Sequence, residues 1–426
     1  MIGHEIHNFA RELWGINRSL TGEGVRETLD KIRNHLPNLV INSISSGTKV
    51  FDWTIPKEWH VNEAYIITPN GEKICDYSKN NLHLLGYSIP FQGKLNLNEL
   101  KKYLFTLPEQ PDAIPYITSY YKEEWGFCLS QNDFDSLKEG EYIIKIDSKL
   151  FDGKLNYGEL IIPGKSKKEV FLSTYICHPS MANNELSGIT VTTFLAKWLN
   201  GLDKRDFTYR IIFIPETIGS LAYLSKNHIE MKKKIIAGFN ISCVGDNRTF
   251  SYLPSRNGKT ISDEVAKHVL NWIYPNFKSY TWLDRGSDER QYCSPGIDLP
   301  IASILRSKYG EYPEYHTSLD NLQDVVTPEG LMGGYLAIQK ALEIIEKNKT
   351  YKLKVLGEPH MSKRKLYPTI STKKIDQEIK LMMDFISLCD GNNSVLKIAN
   401  EINVPIWDLY NLIEKLKSNN LIIVKK

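Results

Sequence analysis

The chain has 426 residues, 42% of them hydrophobic, and 53 Lys and Arg against 50 Asp and Glu leave a net charge of only +3. That length exceeds one compact core, so two or three domains are expected, and the balanced charge gives no reason to name nucleic acid or membrane as the main partner. Six scattered cysteines with no Cys-x-x-Cys pair argue against a disulfide framework or a thiolate zinc knuckle. The charged start, MIGHEIHNFARELWG, does not read as a signal peptide, and no segment has the length of a membrane span, so a reducing cytoplasm is the expected location.

In chain order, Ile6, Phe9, Ala10 and Leu13, then Val25, Leu29 and Ile32, recur at helical spacing on either side of SLTGEG, which predicts two helices joined by a Gly-bearing turn. Residues 46–150 change to short apolar runs (AYIITP, IPYITSYY, WGFCLS, EYIIKI) between Pro, Gly, Asn and Asp, the texture of a small inserted β-domain. Its Trp53, Trp59 and Trp125 suit either a lid or recognition face, or a core. From Glu169 onward strands alternate with helices: EVFLSTYI, SGITVTTFLAKWL, YRIIFIP, SLAYLSKNH, IIAGFNISCV, LPIASIL and EGLMGGYLAIQKALEIIEK. This predicts an α/β fold with a mainly parallel sheet sandwiched by helices, binding ligands at the carboxyl ends of its strands.

After Thr350 a basic connector, YKLKVLGEPHMSKRKLYPTIS, leads to a helix through IKLMMDFISLCD. The last segment reads as helix, turn, helix and short strand, with Ile398, Ala399, Ile402, Val404, Leu409, Leu412, Ile413 and Leu416 at core spacing, the pattern of a winged helix-turn-helix. The predicted division is a discontinuous core of residues 1–45 and 151–350, an insertion at 46–150, and a connector with winged helix at 351–426.

Candidate site residues stand at the ends of the core strands. His178 follows EVFLSTYI, where a neutral imidazole can bind zinc or simply pack. Glu185 comes seven residues later, either as a ligand beside His178 or as an acid favoured at a helix start. Glu216 ends YRIIFIPE, in place for a general base. His316 lies in YHTSLDN, with Asp320 four residues on as a partner to fix its tautomer, and Asp246 after Val244-Gly245 is either a further ligand or a turn residue. Taken together, acceptors at successive strand ends point to a metal hydrolase. The polar loop WLDRGSDERQYC offers Arg285, Asp288 and Tyr292 for substrate binding, with Tyr315 beside His316; a solvated loop and packed aromatics are the alternatives.

This order of motifs resembles the zinc aminopeptidases of the bacterial leucyl aminopeptidase and glutamate carboxypeptidase type. It is most similar to a bacterial group first catalogued as a domain of unknown function, with an inserted β-domain and a C-terminal winged helix. The segments that carry the resemblance are INRSLTGEGVRETL (16–29), CHPSMANNELSG (177–188), FIPETIGS (213–220), CVGD (243–246), GSDERQYC (286–293) and EYHTSLDN (314–321), spread over nearly the whole chain. The resemblance implies a zinc aminopeptidase-like fold, with Glu216 as general base and His178, Glu185, His316 and Asp246 as the metal set.

The chain departs from the wider peptidase pattern. His178-Pro179-Ser180 lacks the aspartate of His-x-Asp, Asn184 stands where the bridging aspartate belongs, Thr217 replaces the second acid of Glu-Glu, and Ser242 aligns with a late aspartate. One zinc ion is therefore expected, with two as the alternative, on a substrate that is a short peptide or an aminoacyl or amino-sugar conjugate. The alternative function is a catalytically weakened regulatory protein whose winged helix binds DNA or protein. Beyond the substrate, the partner readings are a second copy of the chain and, less favoured, nucleic acid through the C-terminal domain; no membrane partner is expected.

Overall fold

The computed structural model describes residues 1–366 and 377–425; the end of the expected connector, 367–371, lies outside them. Its frame is a sheet of β1 (Val40–Ser45), β2 (Lys154–Ile162), β3 (Glu169–Tyr175), β4 (Thr208–Ile214), β5 (Ile235–Asn240), β6 (Ser251–Leu253), β7 (Lys278–Ser279) and β8 (Ile301–Leu305). Their order is β1-β2-β4-β3-β5-β8-β6-β7. The central strands β4, β3, β5 and β8 run parallel, because helices Ser187–Asn200 and Ile218–Lys234 carry the chain back between β3, β4 and β5. The pairs β1–β2, β2–β4 and β6–β8 are antiparallel, so the sheet is mixed around a parallel centre. All seven residues of β3 are buried, which is why EVFLSTY reads as a continuous run with no alternation.

The predicted N-terminal helices are present at Ile2–Trp14 and Glu23–His35. The insertion leaves after β1 and returns at β2. It contains a four-stranded antiparallel sheet in the order Lys73–Ile74, Glu58–Ile67, Glu141–Phe151, Phe91–Asn96. Its hydrophobic core is continuous with that of the large sheet: Trp59, Trp125, Ile144 and Ile146 pack in one cluster with Phe171, Ile212 and Ile214. Trp125 is stacked between Phe91 and Tyr103, and Trp59 donates its indole N–H to the Ser88 carbonyl at 2.9 Å, so both are core residues; Trp53 alone of the three is exposed.

The chain forms two compact units, 1–263 with 277–336, and 264–276 with 337–426. The second therefore takes in more than the expected 351–426. His268 explains the added segment: its Nδ1 lies 2.6 Å from Asn400 Oδ1, and its Nε2 accepts the Ile406 N–H at 3.0 Å. Helices Gln377–Ser387, Val395–Glu401 and Leu409–Ser418 and the sheet Asp390–Ser394, Thr350–Leu353, Ile422–Val424 make the winged helix. Ile398, Ala399, Leu409, Ile413 and Leu416 are buried as expected, while Ile402, Val404 and Leu412 are half-buried. No helix among the described residues is long and apolar enough to cross a membrane.

Candidate active site

The parallel strands deliver their following residues to one edge of the sheet. There the backbone departs from regular geometry: Ser180, Thr217, Cys243 and His316 all have positive φ, between 46° and 61°. Each such non-glycine residue costs of order 1 kcal/mol or more, and clustering at a strand edge is typical of a working site. Between them, Ala182–Leu186 forms a single π-helical turn ahead of helix Ser187–Asn200, closed by Leu186 N–H to Met181 O at 3.2 Å.

His178, Glu216 and His316 come together at this edge. The imidazole centroids are 5.4 Å apart, and His178 Nε2 lies 3.8 Å from Glu216 Oε2. Burial, with His316 and Arg18 adding to it, holds His178 well below the usual histidine range, and burial holds His316 down at about 4. Both rings are neutral at pH 7. His316 stacks on Tyr315 at 3.9 Å, and its Nε2 is buried without a partner. Glu216 accepts the Ser287 hydroxyl at 2.8 Å, and burial, reinforced by Asp288, pushes its carboxyl up to about 8. Asp288 accepts Thr217 N–H and Ser220 Oγ–H, both at 2.8 Å, leaves Oδ2 buried and unpaired, and is itself raised by burial to about 7.

The other expected site residues are engaged elsewhere. Asp246 accepts Ser307 N–H and Oγ–H, Arg248 N–H and the Asn183 amide at 2.8 to 3.1 Å, which leaves its carboxylate no free direction for an ion. Asp320 does not orient His316. It accepts the N–H groups of Asn183 and Asn184 at 2.7 and 3.0 Å and the Tyr312 hydroxyl at 2.9 Å, fixing the π turn. Glu185 accepts the His178 backbone N–H at 2.7 Å and lies 3.4 Å from Arg18 Nε. Tyr292 is a core residue, fully buried, with its hydroxyl 2.7 Å from Ser173 Oγ. Arg285 is exposed and lies over Trp282, 5.0 Å from the ring centroid.

Three contributors had no clear signal at their positions. Tyr116 comes from the insertion, its ring 5.2 Å from both His178 and His316 and its N–H on His316 O at 2.9 Å. Cys177 places its sulfur 3.4 Å from His178 Nδ1 and accepts Glu216 N–H at 3.2 Å; its adjacency to His178 was the available hint. Ser287 sits in the polar loop already singled out.

Zinc of the kind the motifs imply meets a reduced donor set. Asn184, Thr217 and Ser242 cannot supply the carboxylates of a two-metal centre, and among the described residues no group of three or more His, Cys, Asp or Glu is arranged to hold an ion. What remains are two neutral imidazoles, one with an orphaned Nε2, and the nearby Glu216 carboxyl. Imidazole nitrogen and carboxylate oxygen are donor types that zinc accepts.

Known proteins agree with this architecture. A Clostridium acetobutylicum protein named for polysaccharide biosynthesis, with an aminopeptidase-like domain, is 45% identical over 93% of this chain and 91% of its own length. A crystal structure titled as a peptidase from Clostridium acetobutylicum superposes with a TM-score of 0.93 at 42% identity, covering 99% of this chain and 96% of that one. The zinc aminopeptidase BSAP from Bacillus subtilis shares the fold at a TM-score of 0.59 and 14% identity, covering 80% of this chain and 95% of that one. Residues 349–424 match a winged helix-turn-helix family. With residues 7–348 matching the domain of unknown function DUF4910, the chain belongs to that family, an aminopeptidase-like α/β fold followed by a winged helix.

Proposed function

We propose that the chain is a hydrolase of the leucyl aminopeptidase and glutamate carboxypeptidase type that cleaves an amide bond in a small conjugate, with Glu216 as general base. The observation that carries this reading is the convergence of Glu216 with two neutral histidines at the carboxyl edge of the sheet. His178 and His316 would hold one zinc ion, which when bound supplies a Lewis acid for the scissile carbonyl. In its ionised form, which the raised carboxyl reaches toward pH 8 and which a cation bound beside it would favour, Glu216 takes a proton from the attacking water and returns it to the leaving amine. Ser287 holds the carboxyl by its Oε1 so that Oε2 faces His178.

The insertion limits what can enter. It is tied to the His316 loop by Tyr116 N–H to His316 O and Ser318 N–H to Ile114 O, both at 2.9 Å, and by the Gln110 amide on Pro313 O at 2.6 Å. With Tyr116 against both imidazoles, a small substrate fits this reading and a protein does not. The polysaccharide name of the 45% identical relative supports an amino-sugar conjugate over a peptide. Six unpaired, buried cysteines support a reducing compartment such as the cytoplasm.

The test is a panel of aminoacyl anilides and N-acylated amino sugars offered to zinc-loaded protein. Turnover of one class, reduced about 10²- to 10⁴-fold by Glu216→Gln, is expected; zinc-loaded protein that cleaves nothing, or a Gln variant as active as the parent, overturns the proposal. The carboxylates missing at 184, 217 and 242 favour a second reading, a weakened enzyme acting as a regulator through the winged helix. That reading expects DNA affinity that falls steeply with salt.

A further inference from the structure

Glu185 is expected among the metal ligands, yet one of its carboxyl oxygens, Oε2, is taken by the backbone of a ligand candidate, while Oε1 is buried with no hydrogen-bond partner. Oε2 accepts the His178 N–H at 2.7 Å, while Arg18 Nε donates to the His178 carbonyl at 3.2 Å and lies 3.4 Å from the same Oε2. Both side chains have no exposed surface. The residue carrying the imidazole is therefore gripped at its N–H by the Glu185 carboxyl and at its C=O by the Arg18 guanidinium, and the two grips lie 3.4 Å apart.

The sequence builds this device at some cost. Arg18 enters the interior behind the C-terminal end of helix Ile2–Trp14, where Nη1 donates to Leu13 O at 2.7 Å. The turn that carries it runs so close to the next helix that a Cβ on Gly24 would lie 1.9 Å from Asn17 O. This accounts for glycine in NRSLTGEG, a motif that otherwise contributes no group to the site. A buried ion pair is seldom retained for stability alone, since well-packed apolar residues do as well, whereas breaking one is strongly destabilising. Here the pair stands where it fixes a loop residue that follows a strand end without being part of it.

We infer that Arg18 and Glu185 are positioning residues, a buried clamp in which Glu185 Oε2 and the Arg18 guanidinium fix the His178 peptide and so aim its imidazole at Glu216 and His316. The inference concerns the same site as the proposed hydrolase and rests on that reading only for the purpose of the aim.

Amide hydrogen exchange of the full chain, read by mass spectrometry on a peptide spanning residues 176–181, tests it, with zinc alone as the metal probe. Glu185→Ala is expected to speed exchange at the His178 amide about tenfold or more, while β3 stays as protected as in the parent. Glu185→Gln keeps an acceptor oxygen and is expected to retain most of the protection and to bind zinc within about threefold of the parent. Arg18→Lys, which cannot reach both carbonyls, loosens the same peptide and serves if the Ala variant does not fold. Unchanged exchange in Glu185→Ala, or in Arg18→Lys where that variant stands in, overturns the clamp. So does loss of zinc in Glu185→Gln with protection intact, which makes Glu185 a ligand. A parent that binds no zinc defeats the proposed hydrolase site, while exchange still decides the clamp.

Discussion

At the residue scale, a carboxylate at a strand end has two possible occupations, and hydrogen-bond donors decide between them. Asp246 and Asp320 each collect three or more protein donors, so their charge is spent on holding backbone in place. Glu216 has one hydroxyl donor and an oxygen facing His178, which leaves it available for chemistry. The two classes differ in how they respond to substitution. Asp320→Asn replaces one acceptor oxygen by an amide donor facing the N–H of Asn183 or Asn184, and should lose about 2 kcal/mol of unfolding free energy by urea titration. Glu216→Gln should leave stability nearly unchanged, because burial already holds that carboxyl near neutrality at pH 7. A stable Asp320→Asn protein would show that this carboxylate is not needed to fix the π turn.

At the element scale, the sheet, its alternating helices and the winged helix were legible because each rests on a local period: continuous apolar runs for the buried strands and i, i+3, i+4 spacing for the helices. His178, Glu216 and His316 were legible for the same reason, since the ends of parallel strands share an edge. The direction of a side chain beyond a strand end is not periodic, which is why Asp320, expected beside the His316 ring, instead faces backbone, and why Glu185 turns one of its oxygens to the His178 N–H. Tyr116 was illegible because it reaches the site through tertiary packing of an insertion whose sequence carries no spacing signal. Tyr292 misled in the opposite way: its polar neighbours form the loop while its own ring fills the core on Phe171 at 5.0 Å. The N-terminal turn makes a prediction of its own. Gly24→Ala drives a methyl against Asn17 O, which must move with Arg18 attached to it, and should lower stability by about 1 to 3 kcal/mol with a matching loss of melting temperature. A variant as stable as the parent would mean that the turn is softer than its contacts imply.

At the scale of the whole molecule, the site stores charge that the fold resists, and this couples stability to pH. Glu185 and Glu216 rise to about 8, Asp288 to about 7 and Asp320 to about 6, all through burial. A raised carboxyl binds its proton more tightly in the folded state than in the unfolded chain, so each contributes stability that is lost as the pH rises toward its folded value. The histidines act with the opposite sign, since their depressed values make protonation below about 6.5 unfavourable to the fold. Between pH 8.5 and 6.5 only the carboxyls titrate. The melting temperature of zinc-free protein should therefore climb by several degrees on acidification across that interval and go on rising, less steeply, toward pH 5, because four raised carboxyls outweigh two depressed histidines. A flat or falling profile by calorimetry would contradict the buried carboxyl cluster.

The central proposal is that this aminopeptidase-like fold holds a single ion between His178 and His316, with Glu216 free to act as base. Zinc stoichiometry by native mass spectrometry, on the full chain and on His316→Ala, tests it most directly. One ion per chain, lost in the variant, is the predicted result; two ions per chain, or one ion still bound when His316 is removed, would contradict it.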